Sequence, residues 1–479
     1  MHIGTDLAEP ATHHQLWADV TSCTPDPRIL DLGDAFYDAV EPARFPQCTP
    51  RFLNRRWAEK VALDFNEEEW GKHFCRFEPL PGNLPQPLAL RYHGHQFRVY
   101  NPDIGDGRGF TFAQLRDQGG RLLDLGTKGS GQTPYSRTAD GRLTLKGGVR
   151  EVLATEMLEA LGVNTSKTFA LFETGEELVR GDEPSPTRSS VMTRLSHGHI
   201  RIGMFQRLAF YGEVENIDAL VRYTLEHLYS EQPVADAKEN ALRLFDLVAA
   251  ATGRLAASYM AAGFVHGVLN SDNINVTGES FDYGPWRFTP DWDPDFTAAY
   301  FDHYGLYSFG RQPEAIHWDL AQFAGCMAMV AEAPSLSEIL GSWSDRFEDE
   351  LVSALLRRLG VAERERTEDR ALAAALLKGL QSREKPIDRL FFDWRGGRDP
   401  GAELYPSEPF RALAAALDGR QSPATHDYWS DVGPCSMHIE EVEAIWSAIA
   451  ERDDWAPFND KIAAIRRMGE AMASSIPTA

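Results

Sequence analysis

Residues 266–285, HGVLNSDNINVTGESFDYGP, constrain the fold more than any other stretch because they place three oxygen-bearing side chains on neighbouring turns. Asp272 and Asn273 lie side by side in one polar turn, and Asp282 follows nine residues after Asn273, in the tripeptide Asp-Tyr-Gly. Carboxylate and amide oxygens on two close loops suit Mg²⁺, which keeps several waters and takes few protein ligands. The alternative is a pair of ordinary polar turns in which these side chains cap backbone amides.

The same stretch resembles the loop HGDLHxxN of kinases that phosphorylate small molecules. In that alignment Asn273 takes the position of the metal-binding asparagine, and the later Asp-aromatic-Gly is how kinase-like folds hold a metal on a nucleotide. Val268 replaces the catalytic aspartate, so Asp272, four residues later, is the nearest carboxylate that could act as a base. We interpret the loop as a kinase-like loop that is changed at its chemical centre.

Composition and charge narrow the classes of partner. The 479 residues are enough for two or three domains, or for one large two-lobed domain with an ample core. The chain has 48 Lys and Arg against 71 Asp and Glu, a net charge of −23, which argues against nucleic acid or anionic lipid as its main partner. An acidic protein that binds a nucleotide must therefore concentrate its basic side chains in one pocket.

Cysteine usage and the N-terminus predict a cytoplasmic protein. The five cysteines are odd in number and far apart with no CxxC pair, which predicts free thiols in a reducing compartment and no zinc site: they are Cys23, Cys48, Cys75, Cys326 and Cys435. The first residues, MHIGTDLAEPATHH, have neither the basic flank nor the apolar centre of a signal peptide. No apolar run approaches the ~18 residues that a membrane span requires.

From Leu88 onward, short strands alternate with glycine turns, a pattern that predicts an antiparallel sheet. In the turn Gly105-Asp106-Gly107-Arg108 the backbone amides could approach a phosphate while Arg108 supplies positive charge. Such a turn alone more often indicates a plain hairpin. Lys128 ends the apolar strand LLDLGTK, as the phosphate-pairing lysine of a kinase does, although a lysine at a strand end is usually only solvated.

Periodicity next predicts an amphipathic helix over residues 146–162, KGGVREVLATEMLEALG, with Gly162 closing it. Glu151 and Glu156 lie on this helix, and either could pair with Lys128. Surface charge is the alternative for each of them. Arg194 and Arg201 follow on extended chain, where a spacing of seven puts them on opposite faces unless Gly198, between them, bends the chain. With that bend, both arginines could reach one polyphosphate.

Two HGH tripeptides raise the question of a zinc site. His93 and His95 share a strand face, as do His197 and His199, but no third ligand such as a cysteine or an HExxH motif accompanies either pair. Core or surface histidines are the better interpretation.

Taken in order, several motifs resemble the selenoprotein O family, also called the YdiU family, from about residue 28 into the C-terminal helices. The motifs are YHGHQF, GDGR, LGTKGSGQTPYSR, DGR, VREVLATEML, HGVLNSDN, DYGP and YSFGRQPEAIHWDLAQFA. Their number, order and spacing make the resemblance far more specific than a single glycine loop.

This resemblance implies an α+β, protein-kinase-like two-lobed fold. We expect an N-terminal extension over residues 1–84 that wraps the core, and an N-lobe with an antiparallel sheet over 85–214. We expect a mainly helical C-lobe with the catalytic and metal-binding loops over 215–385, and a C-terminal helical extension over 386–479.

The resemblance also implies roles for individual residues. Asp272 would accept a proton, Asn273 and Asp282 would bind Mg²⁺ or Mn²⁺, and Glu151 would pair with Lys128, with Glu156 as the alternative. The residues implied to hold the nucleotide are Gly105, Gly107, Arg108, Lys128, Asp140, Gly141, Arg194, Arg201 and Asp282.

The implied activity is transfer of AMP from ATP to Ser, Thr or Tyr hydroxyls of proteins, with release of pyrophosphate; transfer of UMP from UTP is a variant. The partners are then ATP and protein substrates, with no nucleic acid or membrane, and a monomer suffices. The loss of the kinase acid at Val268 leaves two alternatives open: an ATP-binding pseudokinase that docks partners, and a kinase-like phosphotransferase that uses Asp272 as base.

The chain departs from the family pattern in three places. Many relatives carry a cysteine or selenocysteine near the C-terminus that is tied to redox control, whereas the last cysteine here is Cys435 and the chain ends ASSIPTA. We therefore expect that redox switch to be absent. The residues around the glycine turn also differ from the family pattern, and Asp319 stands where asparagine is expected. None of these changes touches the implied metal and phosphate ligands.

Overall fold

The computed structural model describes residues 24–117, 119–181 and 183–474. The predictions for the first 23 residues, including the free thiol of Cys23, and for the last five residues lie outside this part of the chain.

The strands of the described chain build one large antiparallel sheet and two small ribbons. They are β1 (Thr24–Pro25), β2 (Tyr37–Ala39), β3 (Thr49–Leu53), β4 (Leu88–Leu90), β5 (Gly94–Gln96), β6 (Val99–Asn101), β7 (Thr111–Arg116), β8 (Leu122–Lys128), β9 (Leu143–Thr144), β10 (Lys167–Leu178), β11 (Thr187–Ser196), β12 (Phe264–Val265) and β13 (Arg287–Phe288). The sheet follows the order β2-β4-β7-β8-β11-β10-β3, with β1 beside β7 and β9 beside β11. Ribbons β5–β6 and β12–β13 are separate.

The helices account for most of the second half of the chain. They are α1 (Arg55–Lys60), α2 (Glu67–Phe74), α3 (Leu145–Ala160), α4 (Ile202–Tyr211), α5 (Val214–Tyr223), α6 (Ala237–Ala262), α7 (Gln312–Met327), α8 (Ala333–Gly341), α9 (Trp343–Leu359), α10 (Arg366–Gln381), α11 (Ile387–Asp393), α12 (Glu408–Ala416), α13 (Ile439–Arg452) and α14 (Ala456–Ser474). The prediction of an α+β protein with an antiparallel sheet is confirmed.

Alternation along the central strands gives the sheet two different faces. On β8, Leu123 and Leu125 join an aromatic core that α1 and α2 close with Trp57 and Trp70. Leu122 points to the opposite face and packs in the core that includes α3 and α6. Because strand side chains alternate with a period of two, Lys128 lies on the α3 face.

Residues before position 84, which we predicted to wrap the core, also supply strands to the sheet. β3 pairs with β10 at one edge, and β2 pairs with β4 at the other. The described part of this segment therefore covers one face of the sheet and extends both of its edges.

Helices α3 and α6 begin and end where local signals place them. The Thr144 hydroxyl accepts a hydrogen bond from the Gly147 amide at 3.1 Å at the start of α3, and Gly162 follows its end with a φ of +80°. Asp236 caps α6 in the same way, and Gly263, with a φ of +67°, ends it and turns the chain into β12. The loop that carries Asp272 and Asn273 follows β12.

The prediction that all cysteines are free thiols is wrong for one pair. Cys48 and Cys75 form a disulfide, with 6.0 Å between their Cα atoms, and of the described cysteines only Cys326 and Cys435 are free. Cys48 immediately precedes β3 and Cys75 immediately follows α2, and α2 packs beside β10, the neighbour of β3. The two cysteines are 27 residues apart in sequence, and this spacing alone does not indicate that they are in contact.

No helix among the described residues is both long enough and apolar enough to cross a membrane.

Candidate active site

The centre of the site is a buried ion pair between the sheet and α3. Lys128, the last residue of β8, donates a hydrogen bond from Nζ to Glu151 Oε2 at 2.6 Å. Both side chains are almost fully buried, so each would be costly to leave unpaired. Glu156, the alternative partner, accepts instead from Arg466 on α14.

Two arginines approach this pair from β11 and the turn after it. Arg194 lies opposite Gly126 in the β8–β11 register and therefore shares a face with Lys128. Gly198, with a φ of +84°, bends the chain so that Arg201 returns toward the same region. Arg201 Nη1 donates to the Asp272 carbonyl at 3.1 Å, and its guanidinium lies over the Tyr92 and Phe281 rings. The two arginines thus converge, which the sequence allowed only if Gly198 bends the chain.

Asp282 lies among these cations. Its Oδ1 is 3.0 Å from Lys128 Nζ and 3.5 Å from Arg194 Nη1, and its backbone has a φ of +62°. Burial alone would raise the pKa of this carboxyl, but Lys128 and the surrounding arginines outweigh it and hold the pKa well below its usual value. The side chain remains 28% exposed, so a ligand can reach the ionised carboxylate.

The glycine turn packs tightly against the strand that carries Lys128. The Arg108 carbonyl accepts from the Gly129 amide at 2.6 Å. A Cβ on Gly105 would lie 2.4 Å from the Tyr135 ring, so only glycine fits there. The positive charge of Arg108 also helps to lower the pKa of Asp282.

Asp140 and Gly141 lie further out. A Cβ on Gly141 would be 2.2 Å from the Gly131 carbonyl oxygen, so this turn rests on the turn that follows Lys128. The Asp140 carboxylate forms an ion pair with Arg180 at 2.8 Å instead of facing the buried cations. These two residues therefore border the site.

Asp272 is buried under the β5–β6 ribbon. A Cβ on Gly94 would lie 2.8 Å from Asp272 Oδ1, an atom with no hydrogen-bond partner among the described residues. The ribbon is held in place by two backbone amides: His95 donates to Ser271 Oγ at 2.7 Å, and Phe97 donates to Asn270 Oδ1 at 3.0 Å. Burial raises the pKa of Asp272 to about 7, although Arg201 opposes the shift.

Asn273 and Asp282 supply the oxygens that a divalent metal could use. Asn273 Nδ2 donates to the Val268 carbonyl at 3.0 Å, which fixes the amide and leaves its oxygen as an acceptor. Together with the ionised Asp282 carboxylate, this donor set suits Mg²⁺ or Mn²⁺, which would complete their shells with water and ligand oxygens. Among the described residues no three His, Cys, Asp or Glu side chains converge.

The histidines of the HGH tripeptides are engaged with protein groups. His93 Nδ1 is 2.9 Å from the Tyr100 hydroxyl, and His95 Nδ1 is 2.8 Å from Gln206 Nε2. His199 is 3.2 Å from Asp124 on β8.

Three residues that sequence reasoning did not assign also shape the site. Asp106 Oδ1 lies 3.5 Å from Arg201 Nη2, and the Tyr135 hydroxyl bonds to Asp38 while its ring supports the glycine turn. Asp319 is buried, and its Oδ2 has no hydrogen-bond partner in the described chain. Burial is the main cause, and the negative charge of Asp272 a further one, of a pKa well above the usual value for this carboxyl. Tyr135 belongs to the quoted motif LGTKGSGQTPYSR, but nothing local marked it.

The site as a whole is suited to a polyanionic ligand. Arg194 Nε and Nη1 and Arg201 Nε are buried donors without hydrogen-bond partners among the described residues. Buried donors are almost always satisfied in native proteins, so these N–H groups are suited to bind the oxygens of a ligand. Guanidinium groups bind phosphate oxygens with good geometry.

Comparison with known proteins agrees with this chemistry. Residues 19–403 match the family model described as protein adenylyltransferase SelO. The chain is 38% identical to the protein nucleotidyltransferase YdiU of Synechocystis sp. over 92% of this chain and 97% of that one. It is 41% identical to the protein of the same name from Gloeobacter violaceus over 92% of this chain and 95% of that one. A third such protein, from Pseudomonas putida strain W619, is 34% identical over 79% of this chain and 77% of its own length.

Proposed function

The chain belongs to the selenoprotein O family and is a nucleotidyltransferase, and we propose that it transfers AMP from ATP to Ser, Thr or Tyr hydroxyls of other proteins. One observation carries the proposal: buried cationic side chains surround Asp282, and several of their donors lack partners in the described chain. Such donors match the oxygens of a polyphosphate.

In this proposal Lys128, Arg194 and Arg201 bind the phosphates of ATP. Glu151 keeps Lys128 extended from the end of β8, as the 2.6 Å contact supports. Arg108 and the glycine turn before β7 approach the nucleotide, and Asp140 and Gly141 border it. Positive charge around the β- and γ-phosphates stabilises the pyrophosphate that leaves, because the charge on that group grows in the transition state.

Asp272 is the proposed proton acceptor. The acceptor hydroxyl oxygen forms a bond to the α-phosphorus of ATP, the bond from that phosphorus to the bridging oxygen of pyrophosphate breaks, and the hydroxyl proton passes to Asp272. Val268 occupies the position at which kinases carry their catalytic aspartate, so the loop has no carboxylate there. The unpartnered Oδ1 of Asp272 supports this role.

Asn273 and Asp282 are the proposed ligands of Mg²⁺ or Mn²⁺. The bound ion would supply positive charge beside the phosphate oxygens. Asp282 contributes an ionised carboxylate, and Asn273 contributes an amide oxygen whose orientation the Val268 carbonyl sets.

We also propose that the α+β fold is protein-kinase-like and two-lobed, with the division at 84, 214 and 385 predicted from the sequence. The order of parts supports this: an antiparallel sheet with a lysine at a strand end, a helix whose glutamate pairs with it, and then helices carrying the loops of Asp272 and Asp282.

Label transfer tests the function. Purified protein with Mg²⁺ or Mn²⁺ is given ATP labelled at either the α- or the γ-phosphate, with a mixed protein extract as acceptor and UTP as the competing nucleotide. Asp282→Ala is compared with Asp295→Ala, an exposed acid on the same segment. We expect protein label from α-labelled ATP only, lost in Asp282→Ala and kept in Asp295→Ala.

The other outcomes separate the alternatives. Label from γ-labelled ATP alone would establish a kinase-like phosphotransferase. ATP binding with no label from either would establish a docking pseudokinase, and preferential labelling from α-labelled UTP would make UMP the transferred group.

A further inference from the structure

Helix α3 has to stay in place for the site to work. Its inner side carries Glu151, which holds Lys128, and in phosphoryl-transferring enzymes of this design such a pair must be intact for activity. A shift of α3 by a few ångströms would separate the two charges. The contacts that hold the other side of α3, which faces α13 and α14, should therefore affect catalysis.

The last turns of α3 are fixed by α14. Arg466 donates from Nε to Glu156 Oε2 at 2.7 Å and from Nη2 to Glu156 Oε1 at 3.0 Å, a two-pronged contact with a buried carboxylate. Asn54 adds a hydrogen bond to the same carboxylate at 3.2 Å. Close by, a Cβ on Gly469 would lie 3.3 Å from Ala160 Cβ, so the two helices approach closely because Gly469 has no side chain.

The first turns of α3 contact α13 and the segment that follows Asp282. Lys146 forms an ion pair with Glu443 at 2.7 Å, and Arg150 Nη2 donates to the Trp286 carbonyl at 2.9 Å. Trp286 lies four residues after Asp282, so this contact joins α3 to the segment that carries the proposed metal ligand.

The α13–α14 pair is itself attached to the sheet. Asp453, which follows α13, is 2.8 Å from Arg188 on β11, and the Arg51 guanidinium of β3 lies over the Trp455 ring. The two helices thus connect the edge of the sheet to both ends of α3.

We propose that α13 and α14 are a brace that holds α3 where Glu151 pairs with Lys128, with Glu156 and Arg466 as positioning residues for nucleotidyl transfer. This inference rests on the proposed function, since it assigns the Lys128–Glu151 pair to ATP binding. The brace acts through α3 and touches no substrate.

Arg466→Ala tests the brace, and Arg467→Ala is the matched control. Arg467 is the next residue of α14, and it pairs with Asp427 and Asp431 instead of α3. We expect Arg466→Ala to lower kcat/KM for ATP about tenfold, whereas Arg467→Ala changes it less than about twofold, at a temperature well below both unfolding midpoints. Arg466→Lys, which keeps the charge but loses the two-pronged contact, should recover part of the loss. Equal effects of the two alanine variants would overturn the brace.

A second comparison separates positioning from general stability. In a Glu151→Gln background, Arg466→Ala should add less than about twofold, because the pair through which it acts is already lost. A full additional tenfold loss would overturn the inference. If Arg466→Ala does not fold, Glu156→Gln, which keeps the shape of the side chain on α3, replaces it in both comparisons.

Failure of the proposed function is recognised separately. If wild type transfers no AMP from α-labelled ATP, the same variants are compared by calorimetric ATP affinity. Weaker ATP binding in Arg466→Ala than in Arg467→Ala would then uphold the brace, and equal binding would overturn it.

Discussion

Single residues in the site are fitted to their neighbours with little spare room. Gly94 allows the β5–β6 ribbon to lie directly against Asp272, and Gly105 allows the glycine turn to rest on the Tyr135 ring. Burial without full compensation also leaves several acids with raised pKa values, among them Asp272 and Glu279. Close packing should make Gly94 sensitive to substitution in kcat, and a raised pKa should make stability depend on pH through Glu279.

Gly94→Ala should impair catalysis more than folding. The new methyl group would meet Asp272 Oδ1 at 2.8 Å, so either the ribbon or the carboxylate must move. If Asp272 is the proton acceptor, as proposed, a displacement of this size costs roughly tenfold or more in kcat. Gly325→Ala in α7 is the control, since a Cβ there meets nothing within 4 Å. Equal kcat values for the two variants would contradict the prediction.

Glu279 should make the protein less stable as pH rises. Burial raises the pKa of this carboxyl from 4.5 to about 7, so the folded state binds more protons than the unfolded state between these values. The group therefore contributes its full stability below about pH 4.5, and this is lost as pH rises through about 7. A shift of this size corresponds to on the order of 3 kcal/mol in the free energy of unfolding.

Glu279→Gln removes that titration and can still accept from the His197 amide, now 2.8 Å from the carboxylate. We expect the variant to gain stability relative to wild type between pH 5 and pH 8, measured by urea unfolding at both values. A difference between the two proteins that does not change with pH would contradict this.

At the scale of elements, the site is formed where β8, β11 and α3 pack together. The register of β8 and β11 sets Lys128 and Arg194 on one face, and α3 brings Glu151 to that face. The far face is closed by α1 and α2, and the disulfide between Cys48 and Cys75 ties that layer to the sheet edge.

Removing this disulfide should destabilise the fold. Closing a loop with a sequence separation of 27 restricts the unfolded chain, which the chain-entropy model values at roughly 3–4 kcal/mol. The double variant Cys48→Ala/Cys75→Ala should lose about this much unfolding free energy. The unfolding curve of the double variant should not change when reductant is added. The unfolding curve of wild type should shift toward that of the double variant when the protein is reduced. Identical curves for wild type with and without reductant would show that the bond is not formed.

At the scale of the molecule, one apolar core joins the sheet to the helices. Residues from β8, α3, α6, α7, α13 and α14 pack in the same cluster, including Leu122, Val149, Leu244, Phe323 and Ile462. A second cluster is built mainly from α9 to α12 and adjoins the first at α6 and Phe347. The C-terminal pair α13–α14 is therefore part of the main core.

The sheet and α14 should consequently unfold together. Limited proteolysis at increasing urea concentrations should release fragments from β8 and α14 at the same midpoint, because removing either exposes the shared core. Cleavage within α14 at clearly lower urea than within β8 would contradict this expectation.

How much of this was predictable depended on whether a feature was local. The helix at 146–162 and the strand ending at Lys128 follow from periodicity, which needs only neighbouring residues. Periodicity also shows that Glu151 and Glu156, five residues apart, face different ways on a helix, but not which of them faces the sheet. The sheet contact that decides this is made by residues far away in sequence.

Long-range contacts account for the remaining differences. The disulfide depends on how α2 packs beside β10, the neighbour of β3, which no local pattern encodes. The approach of Gly94 to Asp272 joins residues 178 positions apart, so the burial of the proposed base could not be foreseen. Arg194 and Arg201 were an intermediate case, because Gly198 made their convergence conditional.

The two amides that hold the β5–β6 ribbon make it a natural reporter. His95 and Phe97 donate their backbone N–H groups to the side chains of Ser271 and Asn270, 176 and 173 residues away, next to Asp272. Their exchange with deuterium is therefore slow only while the ribbon is docked. Mass spectrometry of a peptide spanning these residues, with and without ATP, would read directly whether the nucleotide opens or closes the cover over Asp272.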